Sequence, residues 1–166
     1  ELKNDREVVL AAVRQNGDLL EYASAEMRND REVVLAAVRQ NGYALQWASD
    51  ELKADREVVV EALKDDGDVL EFASNELIAD REFILEAVKE NGWALKWISD
   101  ELRADREVVM EAVKTGDALY YASDKLKNDR EFVLAAVAQN GEALGNASEA
   151  LRNDKEVVLA AVAQNG

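Results

Sequence analysis

The chain of 166 residues contains no histidine, no cysteine and no proline. The lack of cysteine excludes disulfide bonds, a thiol nucleophile and thiolate metal sites. The lack of histidine removes the commonest general base and the commonest zinc ligand. No apolar run approaches the roughly 18 residues of a membrane-spanning helix. We therefore expect no cofactor, no bound metal ion and no membrane span.

Basic side chains are also few relative to acidic ones. The chain has 20 lysines and arginines against 35 aspartates and glutamates, which gives a net charge of −15. This excess argues against binding to nucleic acid or to an anionic membrane surface, since both require a basic patch. The hydrophobic fraction of 48% still predicts a folded core. The chain starts at Glu1 and not at a methionine, which predicts a fragment or a processed chain. Nothing in the composition indicates a compartment.

Internal repetition dominates the sequence. A motif begins with Asp-Arg-Glu, with Lys155 in place of the arginine in the last unit, continues as an apolar run and ends each time near a glycine. The motif recurs every 25 residues, except for one interval of 24 where a residue is missing near Lys114-Thr115-Gly116. The repeated aspartates are Asp5, Asp30, Asp55, Asp80, Asp105, Asp129 and Asp154. We expect a single repeat domain over residues 1–166, with units near 1–25, 26–50, 51–75, 76–100, 101–124, 125–149 and 150–166.

Each unit is predicted to contain two short helices. Asp5 is a good N-cap for the first helix, and Gly17 is expected to end it in the left-handed conformation that often follows a helix. The second helix is expected from about Asp18 to Met27, because Leu20, Ala23 and Met27 have helical spacing. Two such helices cannot bury their apolar faces alone, so neighbouring units must stack. The predicted fold is all-α, an α/α solenoid of about seven 25-residue two-helix repeats.

Two positions of the unit predict where the repeats touch. The position of Ala12 is alanine in all seven units, which indicates close contact between helices, where a larger side chain would overpack. The position of Leu20 is leucine in all six complete units, which predicts a core residue.

The runs Leu-Lys-Asn-Asp-Arg-Glu-Val-Val-Leu-Ala-Ala-Val (residues 2–13) and Ala-Leu-Gln-Trp-Ala-Ser-Asp-Glu-Leu (44–52) resemble a helical repeat known as domain of unknown function 4116. That repeat occurs in arrays in protist and bacterial proteins, and the resemblance covers essentially the whole chain. The resemblance implies an all-α array, but no activity and no functional residues. Gly145 and Asn146 depart from the pattern, so the second helix of the sixth unit is expected to be the least stable.

Three polar features, two of them recurring, have both a functional and a structural interpretation. The Asp-Arg-Glu triplets are a line of carboxylates for a cation or a basic partner, or else caps and charge pairs between units; we favour the second. Residues 65–68 (Asp-Asp-Gly-Asp) lack the spacing of a calcium loop and are better explained as a solvated turn. The serines at Ser24 and its equivalents have no base beside them and are expected to bond a backbone carbonyl within the second helix.

Aromatic residues occupy two kinds of position. One column carries an aromatic in almost every unit and is most simply explained by packing; its members are Tyr22, Trp47, Phe72, Trp97 and Tyr121. Tyr43, Trp93 and Tyr120 lie instead in columns that are otherwise mostly polar, and Ile78 replaces a basic residue. These four side chains are expected to be exposed and are candidates for contact with a partner. Scattered surface apolar residues are the alternative explanation.

The first and last units lack the polar residues that usually cap a repeat array. Apolar residues of the interior pattern recur at both ends: Val8, Val9, Leu10 and Val13 in the first unit, and Val157, Val158, Leu159 and Val162 in the last. Either the chain is a piece of a longer array, or these residues form an end-to-end contact between copies, which gives a ring or an open filament.

No nucleophile, base, metal cluster or cofactor loop stands out from the repeat, so the sequence predicts a protein that is not an enzyme. The leading prediction is a non-catalytic scaffold for protein–protein interaction, by analogy with other solenoids. The alternative is a structural subunit that assembles head to tail. The expected partners are a protein or peptide, or copies of the chain itself, with no nucleic acid among them.

Overall fold

A computed structural model describes residues 2–116 and 118–165, and every regular element in this part of the chain is helical. A complete repeat contains a long α-helix, a 3-10 helix and a short α-helix, in that order. The long helices span Arg6–Gln15, Arg31–Gln40, Arg56–Leu63, Arg81–Glu90, Arg106–Thr115, Arg130–Gln139 and Lys155–Asn165. The 3-10 helices span Leu2–Asn4, Gly17–Tyr22, Gly42–Trp47, Gly67–Phe72, Gly92–Trp97, Ala118–Tyr121 and Gly141–Asn146. The short helices span Ala25–Arg28, Asp50–Lys53, Asn75–Ala79, Asp100–Arg103, Asp124–Lys127 and Glu149–Arg152.

The all-α repeat fold predicted from the sequence is confirmed. The aspartate at the start of the long helix is its N-cap, also as predicted. In the first repeat the Asp5 carboxylate accepts hydrogen bonds from the backbone N–H groups of Glu7 and Val8, at 3.1 and 3.2 Å. Such a cap satisfies N–H groups that have no partner within the helix and contributes about 1 kcal/mol.

The second helix of the unit is divided into two segments. The stretch expected as one helix from about Asp18 to Met27 forms a 3-10 helix, Gly17–Tyr22, and a short α-helix, Ala25–Arg28. Ala23 and Ser24 between them are extended, with ψ of 158° and 163°. Ser24 then starts the short helix, because its Oγ accepts from the N–H of Met27 at 3.3 Å. The spacing of Leu20, Ala23 and Met27 fits this broken arrangement as well as a continuous helix.

The repeated glycine is needed for space. The expectation of a left-handed conformation is wrong, because no glycine among the described residues has a positive φ. A Cβ atom on Gly42 would lie 2.5 Å from the carbonyl oxygen of Ala62 in the next repeat. Gly17 would meet Ala37 in the same way, and backbone atoms cannot yield as a flexible side chain can. The glycine therefore permits the close approach of the next long helix.

The chain divides into two compact units, Glu1–Phe83 and Ile84–Gly166. Within each unit, successive long helices pack beside one another and successive 3-10 helices do the same. The core of each unit consists of the alanine and leucine columns with valines between them. Ala37 and Leu45 in the first unit, and Ala112 and Leu119 in the second, have no exposed surface. The expectation that these columns form the core is confirmed, whereas a single domain over 1–166 stays a prediction.

The repeat that lacks one residue keeps its core. The helix Arg106–Thr115 has the usual ten residues, and Ala118 and Leu119 remain buried. Thr115 ends the helix, and its hydroxyl donates to the carbonyl oxygens of Val88 at 2.9 Å and Ala112 at 3.3 Å. The missing residue is thus absorbed in the turn. No helix in the described part of the chain is both long and apolar enough to cross a lipid bilayer.

Candidate interaction surfaces

The Asp-Arg-Glu triplets form an ion-pair ladder between neighbouring repeats. Arg6 donates from Nε to Asp30 at 2.7 Å and from Nη2 to Glu32 at 2.5 Å. The hydrogen bond from Arg6 is the main reason that the pKa of Asp30 lies below its usual value. The arginine of one repeat thus binds the carboxylates of the next. The other ladder pairs are Arg31 with Asp55 and Glu57, Arg56 with Asp80, Arg106 with Asp129, and Arg130 with Asp154 and Glu156.

The ladder aspartates also cap the long helices. The Asp30 carboxylate accepts from the N–H groups of Glu32 and Val33, at 3.0 and 3.1 Å, while it binds Arg6. At Asp129 the backbone bond from Phe132 is the larger cause of the lowered pKa, and the bond from Arg106 adds to it. Both contacts support the structural interpretation of the triplets, because these carboxylates already have partners within the chain.

The acidic turn at residues 65–68 likewise binds its own chain. Asp65 accepts from the N–H of Gly42 at 2.8 Å, and Asp66 accepts from the N–H of Asp68 at 2.8 Å and from the hydroxyl of Tyr43 at 3.0 Å. This turn therefore connects two repeats and is less solvated than expected. Among the residues that the structure describes, no group of three acidic side chains is arranged to hold a metal ion.

Serines of the repeated column join their repeat to the one before it within each compact unit. The N–H of Ser24 donates to the carbonyl oxygen of Lys3 at 2.9 Å, and its hydroxyl donates to Asn4 Oδ1 at 2.6 Å. Ser49 repeats these bonds with Arg28 and Asn29. The expected bond from the serine hydroxyl to a carbonyl within the second helix is replaced by a helix cap and a contact between repeats.

The most exposed aromatic side chains in the interior of the array lie together in the second unit. Trp93 is 45% exposed and Tyr120 is 59% exposed. Each packs edge to face on Tyr121, with ring centroids 5.8 Å apart for Trp93 and 4.9 Å apart for Tyr120. We call Trp93, Tyr120 and Tyr121 the aromatic patch. Lys127 lies beside it, with Nζ 5.6 Å from the centre of the Tyr120 ring.

The other two partner-contact candidates lie in the first unit and are less exposed than expected. Tyr43 is half-buried, because its ring packs edge to face on Phe72 at 6.2 Å and its hydroxyl is bound by Asp66. That hydrogen bond is the main reason that the pKa of Tyr43 is raised. Ile78 is half-buried at the end of a short helix. Of the four candidates, the structure thus groups Trp93 and Tyr120, because both rings contact Tyr121.

One face of the first repeat is apolar and open; we call it the head face. Val8 is 41% exposed, whereas its equivalents Val33 and Val58 are fully buried. Leu2, Leu19 and Tyr22 are also exposed there, and with Val8, Val9 and Ala12 they line a groove of about 170 Å³.

The last repeat has an open apolar face of its own; we call it the tail face. Val162 is 61% exposed, whereas its equivalents Val113 and Val137 are fully buried. Leu159 is also exposed and Val158 is half-buried. The remaining end-to-end candidates are buried within the chain itself: Val9, Leu10, Val13 and Val157.

Several surface residues escaped the sequence-based prediction. Tyr121 packs on other rings as expected, but it was not linked to Trp93 and Tyr120, and Leu2, Leu19 and Tyr22 were not linked to the open face. The alignment of the repeats in the sequence could have identified these exposed core positions. Leu2 is equivalent to Met27 and Leu52, which are buried in interior repeats, so the register of the repeat marks Leu2 as a core position that is exposed here.

Comparison with known proteins gives one result. The model of the family described as Domain of unknown function (DUF4116) matches residues 1–28, 30–78, 80–127, 114–152 and 129–166, and these overlapping segments cover nearly the whole chain. No curated protein and no solved structure matches the chain.

Proposed function

The chain belongs to the family of domain of unknown function 4116, whose description names no activity. From the surface of the protein we propose that it is a non-catalytic scaffold that binds a protein or peptide through the aromatic patch. The repeat architecture is compatible with a scaffold. The observation that carries the proposal is the clustering of Trp93 and Tyr120 on Tyr121, with large exposed areas in the interior of the array.

The chemistry of the patch favours protein contact. Tryptophan and tyrosine are enriched among the energetically dominant contacts of protein interfaces, because their large rings bury much apolar area and lose little side-chain entropy. The repeat itself does not need these residues, since other repeats carry aspartate at the position of Trp93 and glutamate or lysine at that of Tyr120. The overall negative charge suits a partner segment with apolar and basic residues.

The test uses random peptides displayed on phage and selected against the immobilised 166-residue protein. Trp93→Asp and Tyr120→Glu are the informative variants, because each introduces a residue that other repeats of this chain carry there. Peptides that bind through the patch should lose at least about 30-fold in affinity for either variant, which corresponds to about 2 kcal/mol for a hot-spot residue.

Two controls separate this loss from a general effect. Tyr22→Asn replaces an equally exposed tyrosine outside the patch, and Ala135→Glu adds one charge at an exposed site where other repeats carry glutamate. Both should bind the selected peptides as the unmodified protein does. Selection that yields no peptide, or only peptides that bind both patch variants at full strength, contradicts the proposal.

A further inference from the structure

We propose that the head face of one chain docks on the tail face of a second copy, so that the long helix Lys155–Asn165 of one molecule packs on the long helix Arg6–Gln15 of the next. This inference goes beyond the proposed function, because it uses none of the aromatic patch. Three observations on the two faces support it: their exposed apolar side chains, their charges and the interface that interior repeats already form.

The interior of the chain contains the template for this contact. Long helices of neighbouring repeats lie against each other, as Arg6–Gln15 does against Arg31–Gln40. In interior repeats the equivalents of Val8 and of Val162 are fully buried, including Val33 and Val137. In the free chain the same two positions are 41% and 61% exposed. The head face and the tail face are therefore the two halves of an interface that the sequence already makes between its own repeats.

The charges at the two faces are complementary in the same register. In interior repeats a cation from one long helix binds the aspartate and the glutamate of the next, as Arg130 does with Asp154 and Glu156. At the head face Asp5 and Glu7 hold those acidic positions, and at the tail face Lys155 holds the basic position. No ion-pair partner for any of the three is found among the described residues. Docking of a second copy would place Lys155 beside Asp5 and Glu7.

The contact is heterologous, because two different surfaces meet, so it can propagate beyond a dimer into a chain or a ring. It reproduces only the part of an interior interface made by the long helices. Leu2, Leu19 and Tyr22 belong to the part made by other helices. We therefore expect association that depends on concentration and is favoured when salt screens the net charge of −15.

The decisive experiment measures mass by light scattering and sedimentation velocity. Concentrations run from about 10 µM to about 1 mM, at an ionic strength where the Debye length is about 8 Å. The unmodified chain should grow past the dimer. Val8→Asp and Val162→Asp each place a charge on one exposed face, and each variant alone should remain a single chain. Circular dichroism checks that both remain folded.

Mixing the two variants tests the direction of the contact. Val8→Asp keeps an intact tail face and Val162→Asp keeps an intact head face, so the mixture should form a one-to-one dimer that grows no further. Ala135→Glu, with the same added charge on an exposed interior helix, should assemble as the unmodified chain does. A head-to-head or tail-to-tail contact instead predicts that one single variant still dimerises alone, which overturns the proposal. An unmodified chain that stays monomeric over the whole range overturns it too.

The charge pair gives a second readout. Glu7→Lys and Lys155→Glu should each raise the dissociation constant about fivefold, as expected for a partly exposed ion pair. In the double variant the new glutamate faces Asp5 and one new lysine in place of two carboxylates, so the double variant should bind more tightly than Lys155→Glu alone. A double variant that is no tighter than Lys155→Glu shows that residue 155 does not meet the acidic pair in the assembly and contradicts the proposed register.

Discussion

Tyr43 and Trp93 occupy the same position in two repeats, one in each compact unit, but their surroundings differ. Tyr43 is half-buried and its hydroxyl donates to Asp66 in the next turn. The turn that follows Trp93 lacks one residue, and the backbone there passes beside the indole at Gly116. The environment of this position is thus set largely by the repeat after it. One column can serve packing in one repeat and remain available for binding in another.

The glycines of these turns give the strongest test of this difference. A Cβ atom on Gly92, which precedes Trp93, would collide with the carbonyl oxygen of Ala112, whereas one on Gly116 would only touch the Trp93 indole at 3.4 Å. Gly116 has a φ of 174°, which any residue adopts. We expect Gly92→Ala to lower the free energy of unfolding by about 2–4 kcal/mol.

For Gly116→Ala we expect a change within about 0.5 kcal/mol, because the contact it creates is an ordinary van der Waals contact. Urea unfolding followed by circular dichroism measures both variants under the same conditions. Equal losses for the two substitutions would contradict the assignment of close backbone packing to Gly92 and not to Gly116.

The hydroxyl of Tyr43 allows a second test of the comparison, with a smaller effect. Tyr43→Phe should cost about 1 kcal/mol, because it removes a part-buried hydrogen bond to Asp66. The matched variant Tyr120→Phe, at a 59% exposed tyrosine of the second unit, should stay within about 0.3 kcal/mol of the unmodified protein.

The pH dependence of this loss identifies its origin. The bond to Asp66 raises the pKa of Tyr43 above its ordinary 10.0, because ionisation would place a phenolate beside a carboxylate. Above pH 10 the folded state therefore holds a proton that the unfolded state releases. The stabilisation is present below that pH and is lost as the pH rises through the folded pKa. The gap between the unmodified protein and Tyr43→Phe should shrink there; a gap that persists would refute the hydrogen-bond explanation.

The sequence predicts the features that repeat and misses those that depend on a neighbour. The period, the aspartate caps and the alanine and leucine columns follow from patterns within one unit. The break at Ser24 does not, since helical spacing of apolar residues survives an interruption of two residues. The role of Gly42 depends on a carbonyl 20 residues later in the chain, at Ala62. The burial of Tyr43 likewise depends on Asp66, so only the three-dimensional register reveals it.

A small gain in stability is expected at a glycine that has no close neighbour. Gly145 lies in the 3-10 helix Gly141–Asn146, at the position that Tyr120 occupies in the repeat before. A Cβ atom on Gly145 would meet no atom within 4 Å, in contrast to Gly42 and Gly92. Its φ is not positive. Alanine should therefore fit without strain and should reduce the entropy of the unfolded chain.

We expect Gly145→Ala to raise the free energy of unfolding by about 0.4–1 kcal/mol. Urea unfolding measures the total change, and hydrogen exchange of the Gly141–Asn146 backbone shows whether the sixth repeat gains protection. A gain confined to that repeat is expected, because its flexible glycine and Asn146 stand where most other repeats carry a longer side chain and an aromatic. A loss of stability would contradict this prediction. It would mean that another part of the chain lies close to Gly145, as the Ala112 carbonyl lies close to Gly92.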